Sequence, residues 1–278
     1  MLKPQVVDQH AVIGVAPVVS WQAYDADGVA ADPGTVTVTV TNLAGTALAT
    51  DAATSGTTTS PRTKTLTAIA APDLLTCVWS VSGAVVARTK VAVNGGIVCP
   101  LPLLRARKGL DNTVQTFTND VLVARLAEVV NRVECYTGAL VPRACTESFD
   151  WRGEARYAPQ QPLIRSVRSV TVDGTTVPAT DYHLDGHVVV FEVRQWGEVV
   201  FTYEYGRSSC PPDLRRAIVD AVAFSLLGET SGQSMRQTSV TNEFGSTNFA
   251  RPNDDHPFGL PDVDAIIMRH DERIPGVG

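Results

Sequence analysis

Apolar and polar positions alternate with a period of two through the first third of the chain, and recur with a period near 3.6 in two later stretches. The chain therefore reads as strands first and helices later. In residues 35–41, TVTVTVT, the valines Val36, Val38 and Val40 share one face and threonines fill the other, which predicts a half-buried strand. Further strand-like runs surround Trp21, Leu66 and Trp79 and fill residues 84–93. Asp32-Pro33-Gly34, Ser82-Gly83 and Asn94-Gly95-Gly96 punctuate them as turns. Several short strands at regular spacing, with no helical period between them, predict an antiparallel β-sandwich over residues 1–96.

The pattern changes after Gly96. Cys99-Pro100-Leu101-Pro102 begins a stretch, 97–117, that reads as a linker. From Thr118 onward Leu122, Leu126, Val129, Val130, Val133 and Tyr136 recur at helical spacing. Thr118, Asn119 and Asp120 supply capping groups and Gly138 a stop. Residues 162–206 return to β structure. VTVDGTTV and HLDGHVVVF each centre on Asp-Gly, a two-residue hairpin signal, and EVVFTYEYG puts Val199, Phe201, Tyr203 and Tyr205 on one face. Pro211-Pro212-Asp213 opens a second helix with Leu214, Ile218, Ala221 and Val222 as its stripe. A polar stretch follows from Thr230, and Leu260-Pro261-Asp262 starts a short last helix through Val263, Ile266 and Ile267.

Two domains are the expectation for 278 residues. A hydrophobic content of 44% with 19% charged residues fits globular domains. The net charge of -6 and the absence of a basic run do not favour a nucleic-acid binder, which neutralises phosphates with clustered Lys and Arg. No stretch reaches the roughly 18 apolar residues of a membrane span, so a soluble, unprocessed protein is expected. Cys77, Cys99, Cys135, Cys145 and Cys210 are scattered without a CxxC pair and read as reduced thiols, with a Cys77–Cys99 bridge as the alternative.

The ordered pieces VARLAEVVNRVECYTG, LVPRACTESFDWRG, PLIRSVRSVTVDGTTV, DYHLDGHVVVF, GEVVFTYEYG, CPPDLRRAIVDAVAFSLL and LPDVDAIIMRH, over roughly residues 100–273, resemble the head-to-tail connector, or adaptor, family of long-tailed bacteriophages. ADPGTVTVTVTNLAGTAL and DLLTCVWSVSGAVVARTKVAV look like the small immunoglobulin-like domains attached to phage structural proteins, with APDLLTCVW standing where such domains often carry Pro-Gly-x-Tyr. The resemblance implies a multidomain chain: an N-terminal all-β immunoglobulin-like sandwich (1–96), then an α+β adaptor domain (118–278) of helices with inserted β-hairpins. It further implies a virion protein at the head–tail interface, assembled in the host cytoplasm into a ring, usually a dodecamer. The expected partners are other copies of the chain, the portal protein, a tail-side connector or stopper, passing genomic DNA without sequence specificity, and the major capsid protein through the immunoglobulin-like domain. A phage-surface or carbohydrate-binding module is the alternative. The aromatic content of 6% and the placement of Trp21 and Trp79 in strands speak for core packing instead.

No constellation for catalysis stands out: GxSxG, HExxH and phosphate-binding glycine loops are absent, so neither enzyme activity nor a cofactor is expected. With Asp185-Gly186 as a turn, His183 faces Val188 and Leu184 faces His187, which sends the imidazoles to opposite sides. Asp254-Asp255-His256 lacks calcium-loop spacing and reads as a solvated loop. Asp150 and Glu154 read as a polar turn around Trp151. The stretch 231–278 is expected to dock on the portal. Its middle, 235–253, is too polar to order alone, and TSVTNEFGSTNF could add to a partner as a strand, with Phe244, Phe249, Leu260, Val263, Ile266 and Ile267 as contacts.

Overall fold

The computed structural model describes residues 9–56, 60–111, 117–193, 196–230, 239–242, 245–248 and 258–271. Strands β1 (Gln9–Val12), β2 (Val18–Trp21), β3 (Val36–Thr41), β4 (Ala47–Ala53), β5 (Arg62–Thr65), β6 (Asp73–Val81) and β7 (Ala84–Asn94) fill the first part. A five-stranded sheet runs β1-β7-β6-β3-β4, and β2 pairs with β5 in a second, two-stranded sheet. The alternation in β3 has its expected effect: Val36, Val38 and Val40 are buried. They meet Val19 of β2 and Leu75, Cys77 and Trp79 of β6 in a core drawn entirely from this region. The pairing is antiparallel except at one edge, where β1 runs parallel to β7. Ser82 and Gly83, both at positive φ, close the β6–β7 turn.

Next in the chain come α1 (Leu101–Arg105) and α2 (Asn119–Thr137), and then β8 (Arg143–Arg152), β9 (Arg156–Tyr157), β10 (Ile164–Val172), β11 (Thr175–Thr176), β12 (Tyr182–Asp185), β13 (Val188–Phe191) and β14 (Trp196–Tyr205). These strands form a four-stranded sheet, β11-β10-β14-β8, and a three-stranded one, β12-β13-β9. Val199, Phe201 and Tyr203 of β14 are fully buried in a core shared with Trp151, Val170, Val189 and Phe191. The chain ends in α3 (Pro212–Thr230), the hairpin β15 (Ser239–Asn242) with β16 (Gly245–Asn248), and α4 (Pro261–Arg269).

The division of the chain differs from the expected one. One unit comprises the described residues of Met1–Gly96, Pro142–Gln160 and Ile164–Tyr205; the other comprises those of Ile97–Val141, Gln161–Leu163 and Gly206–Gly278. The stretch 118–278 is thus not one domain with one core, because its strands and its helices bury separate sets of side chains. Nor is 97–117 a free linker. Cys99, Leu104 and Leu110 are buried in the helical core with Leu122 and Val133 of α2, Ile218 and Val222 of α3, and Ile267 of α4.

The helix boundaries follow from the capping groups. The Thr118 side chain accepts from the Val121 amide at 3.4 Å, and Gly138, at φ +67°, ends α2. The first Asp-Gly hairpin also forms as its residues dictate, with Asp173 and Gly174 both at positive φ between Val172 and Thr175. The second is displaced. Asp185 pairs with Val188, so the turn centres on Gly186-His187, and His183 lies opposite Val190 rather than Val188. Glycine at the first central position suits a II′ turn, and the shifted register pairs Phe191 with Tyr182, whose rings sit 6.3 Å apart.

Candidate functional site

The helical unit carries a groove of about 330 Å³ between α1 and the first turns of α3. Pro100 starts α1, and its single turn brings Leu103, Ala106 and Arg107 beside Pro212, Arg215, Arg216, Val219 and Asp220. Arg215 is fixed by the backbone: its Nε donates to the Val98 carbonyl at 3.1 Å and its second terminal nitrogen to the Cys210 carbonyl at 3.2 Å. Beneath it lie two buried thiols, and burial pushes Cys99 up to about 11 against the opposing pull of the Arg215 charge. Arg107 pairs with Asp220 at 2.8 Å, while Arg216 reaches the same carboxylate only at 3.9 Å and is 83% exposed. The groove therefore joins an apolar floor, including a 42% exposed Leu103, to three guanidiniums offset by one carboxylate. Such a surface suits a partner that offers carboxylates beside small apolar groups.

A second cluster lies in the strand-rich unit. Glu147 of β8 points inward and is 7% exposed. Tyr157 donates to its Oε2 at 2.6 Å, Tyr203 donates to its Oε1, and the Gln160 amide donates at 3.2 Å. Burial, reinforced by the Glu147 charge, raises both phenols well above their ordinary range. The Cys145 thiol beside them is pushed up to about 12, chiefly by burial. Two phenols and one backbone amide thus converge on a single carboxylate. The arrangement holds β8, β9 and β14 together and leaves no nucleophile in a reactive state, since these thiol and phenol groups keep their protons at neutral pH.

The residues singled out in the sequence fall into different places. Val263 and Ile267, 6% and 0% exposed, are core residues of the helical unit, and Ile266 and Leu260 are partly buried against the same core. Their apolar groups hold α4 on α2 and α3, so Val263 and Ile267 present no apolar surface to a partner. Asp264, 1% exposed, folds back to accept from the Phe258 amide at 2.9 Å. His270 Nε2 meets Asp213 Oδ2 at 2.8 Å, a contact that lowers the Asp213 carboxyl and ties the end of α4 to the start of α3. Phe244 and Phe249 lie outside the described residues, as do Asp254, Asp255 and His256. The strands flanking Phe244 pair with each other instead of standing as one extended segment.

His183 contacts Glu192 at 2.7 Å, and His187 sits in the hairpin turn. Asp150 belongs to β8 rather than to a turn, opposite Glu198. Among the described residues no group of three or more His, Cys, Asp or Glu side chains is placed to hold a metal ion. No disulfide is formed among the described cysteines. Trp21 and Trp79 stack on each other, ring centroids 6.1 Å apart, with Trp79 fully buried. No helix of the described residues is long and apolar enough to cross a membrane.

Neither the groove nor the Glu147 cluster was visible in the sequence. Leu103 and Arg216 are too far apart in the chain for a local pattern, and the only hint of Glu147 is a carboxylate on the same side of an alternating run as Cys145, Phe149 and Trp151. No protein-family model and no curated protein matches the chain.

Proposed function

We propose that the chain is a head-to-tail connector subunit of a tailed bacteriophage, one of a ring beneath the portal that joins head to tail and surrounds the path of the DNA. The observation that carries this reading is the order of elements. A strand-rich stretch, β8 to β14, is inserted between α2 and α3, while the helices on either side pack with α4 into one core. Helix, hairpins, helix and terminal helix is the sequence of pieces on which the connector resemblance rests. Within the helical unit the chain segments on either side of the insertion are joined to each other, the Arg207 amide donating to Ala139 and the Gly206 amide to Leu163, each at 2.9 Å. Subunits of a ring must grip through two different patches, and a net charge of -6 suits a passage that phosphates should not stick to.

The N-terminal part is taken as an immunoglobulin-like domain, in keeping with its two facing sheets and its parallel edge strand. It would contact the capsid, with the portal on one side of the ring and a stopper on the other. The portal contact is assigned to the hairpin β15–β16 and its neighbours rather than to the inward residues of α4. Electron cryomicroscopy of purified particles tests the reading. A closed ring of this chain below the portal is expected, and its density on the capsid exterior or on tail fibres would refute the proposal.

A further inference from the structure

The helical unit exposes two surfaces that its own core leaves uncovered, and their chemistries are opposite. One is the groove between α1 and α3, with Leu103 and Val219 on its floor and Arg107 and Arg216 on its rim. The other is the outer face of α2. Leu122, Val129, Val130 and Val133 turn inward, so 3.6-residue periodicity leaves Asp120, Ala124, Ala127, Glu128 and Asn131 outward, with Val121 and Val123 at the margins. All of these outward residues are exposed, Val123 by 53% and Val121 by 43%. Small side chains at the centre of the face let another backbone come close, and the carboxylates of Asp120 and Glu128 lie two turns apart along it. The Glu128 carboxylate is shared with Arg125 at 2.9 Å but stays 66% exposed.

We infer that the groove receives the outer face of α2 from a second copy of this chain, so that Arg107 and Arg216 meet Asp120 and Glu128 across the contact while Leu103 and Val219 cover its small apolar residues. Charge complementarity selects the occupant. A polyphosphate would meet Asp220 within the groove and would gain nothing from its apolar floor, whereas an acidic helix face with alanines satisfies both parts. The two surfaces are distinct patches of one subunit, so the contact is heterologous: each copy offers α2 to one neighbour and its groove to the other, and the contact repeats until the ring closes. This names the subunit interface of the ring proposed above and rests on that proposal.

Charge exchange in the full-length chain tests it, with assembly followed by analytical ultracentrifugation and, in parallel, by binding to portal-containing heads. Arg216→Glu and Glu128→Arg should each weaken self-association at least about tenfold, and the double variant should recover most of it. Asp120→Arg, which also opposes the dipole at the start of α2, serves as a second probe once circular dichroism has shown it folded. In a Cys135→Ser background, Leu103→Cys with Val123→Cys should yield oxidised ladders of several subunits, and either cysteine alone should stop at dimers. Unaltered assembly of both single variants, or a double variant no better than the worse single one, overturns the interface while leaving the ring intact. Loss of head binding with unchanged self-association would assign the groove to a different acidic protein and overturn the second-copy occupant. A wild-type chain that assembles neither alone nor on heads would overturn the ring itself.

Discussion

Replacing Tyr203 by Phe removes one hydroxyl and leaves the ring in place, so it isolates what the Glu147 cluster contributes. Tyr203 is fully buried and Glu147 nearly so, so water cannot step in for the lost donor. A hydrogen bond to a charged acceptor is worth about 1.5–3 kcal/mol net. Because Tyr157 at 2.6 Å and the Gln160 amide at 3.2 Å still serve the carboxylate, a loss of about 2 kcal/mol is expected, near the middle of the range given for bonds to charged groups. For a unit of roughly 160 residues this lowers the melting temperature by about 4–8 °C. Urea unfolding followed by near-ultraviolet circular dichroism should report it, since Trp151, Tyr157 and Phe201 lie in the same ring cluster. Tyr157→Phe should cost a similar amount, and the two together more than their sum, because the carboxylate would keep only the Gln160 amide. Adding Glu147→Leu to the double variant takes the stranded charge away and should regain stability. If Tyr203→Phe matched the wild type within about 0.5 kcal/mol, or Glu147→Leu made the double variant worse, Glu147 would not be a carboxylate held by phenol donors.

Ile267→Ala should cost the helical unit about 2–5 kcal/mol, because the side chain is fully enclosed, and hydrogen exchange should show α4 opening before α2. Gly206→Ala should destabilise by at least about 1–3 kcal/mol in thermal unfolding: φ is +99° and the new Cβ would lie 2.5 Å from the Val141 carbonyl oxygen. Gly174→Ala, with open space around it, should cost less. Stability should fall in alkali. The folded chain holds the Cys99 and Cys145 protons to about 11 and about 12 against 9.0 when unfolded, and the two phenols are raised from 10.0. That contribution is complete below pH 9 and is lost as pH climbs through the folded values, at up to about 1.4 kcal/mol per pH unit for each such group. A urea midpoint unchanged between pH 8 and pH 11 would contradict it.

The sequence made some elements plain and hid others for physical reasons. β3, α2, α3 and the Asp173-Gly174 turn were legible because pattern and local chemistry agree there, an alternating run, a capped stripe and a turn that needs positive φ. β4 is not legible, because ALATDAA shows both its faces mostly to solvent and so carries no alternation. β8 is hidden because its inward row includes Glu147, which the two tyrosines and the Gln160 amide make tolerable. α1 reads as linker because two prolines, Pro100 and Pro102, crowd its start and its single turn is too short to show a helical period, although Leu104 is wholly buried. The Asp185-Gly186 signal misplaces its turn by one position because Gly186 serves equally as the first residue of a II′ turn with His187, in the register that pairs Phe191 with Tyr182. The groove depends on Leu103 and Arg216 meeting, which no local pattern encodes.

The interruption of the helical unit by the strand-rich insertion has a consequence for the order in which the chain is made. α2 leaves the ribosome with Leu122, Val129 and Val133 exposed, and their partners Leu214 and Ile218 follow roughly 80 residues later. At about 5–20 residues per second that is a wait of roughly 4–16 seconds. The aromatic core of β8 to β14 is contiguous in the chain and can close during that interval. The helical core closes last, once α3 and α4 have emerged, and until then the face of α2 that will be buried is the part of the nascent chain most open to misassociation or to a chaperone.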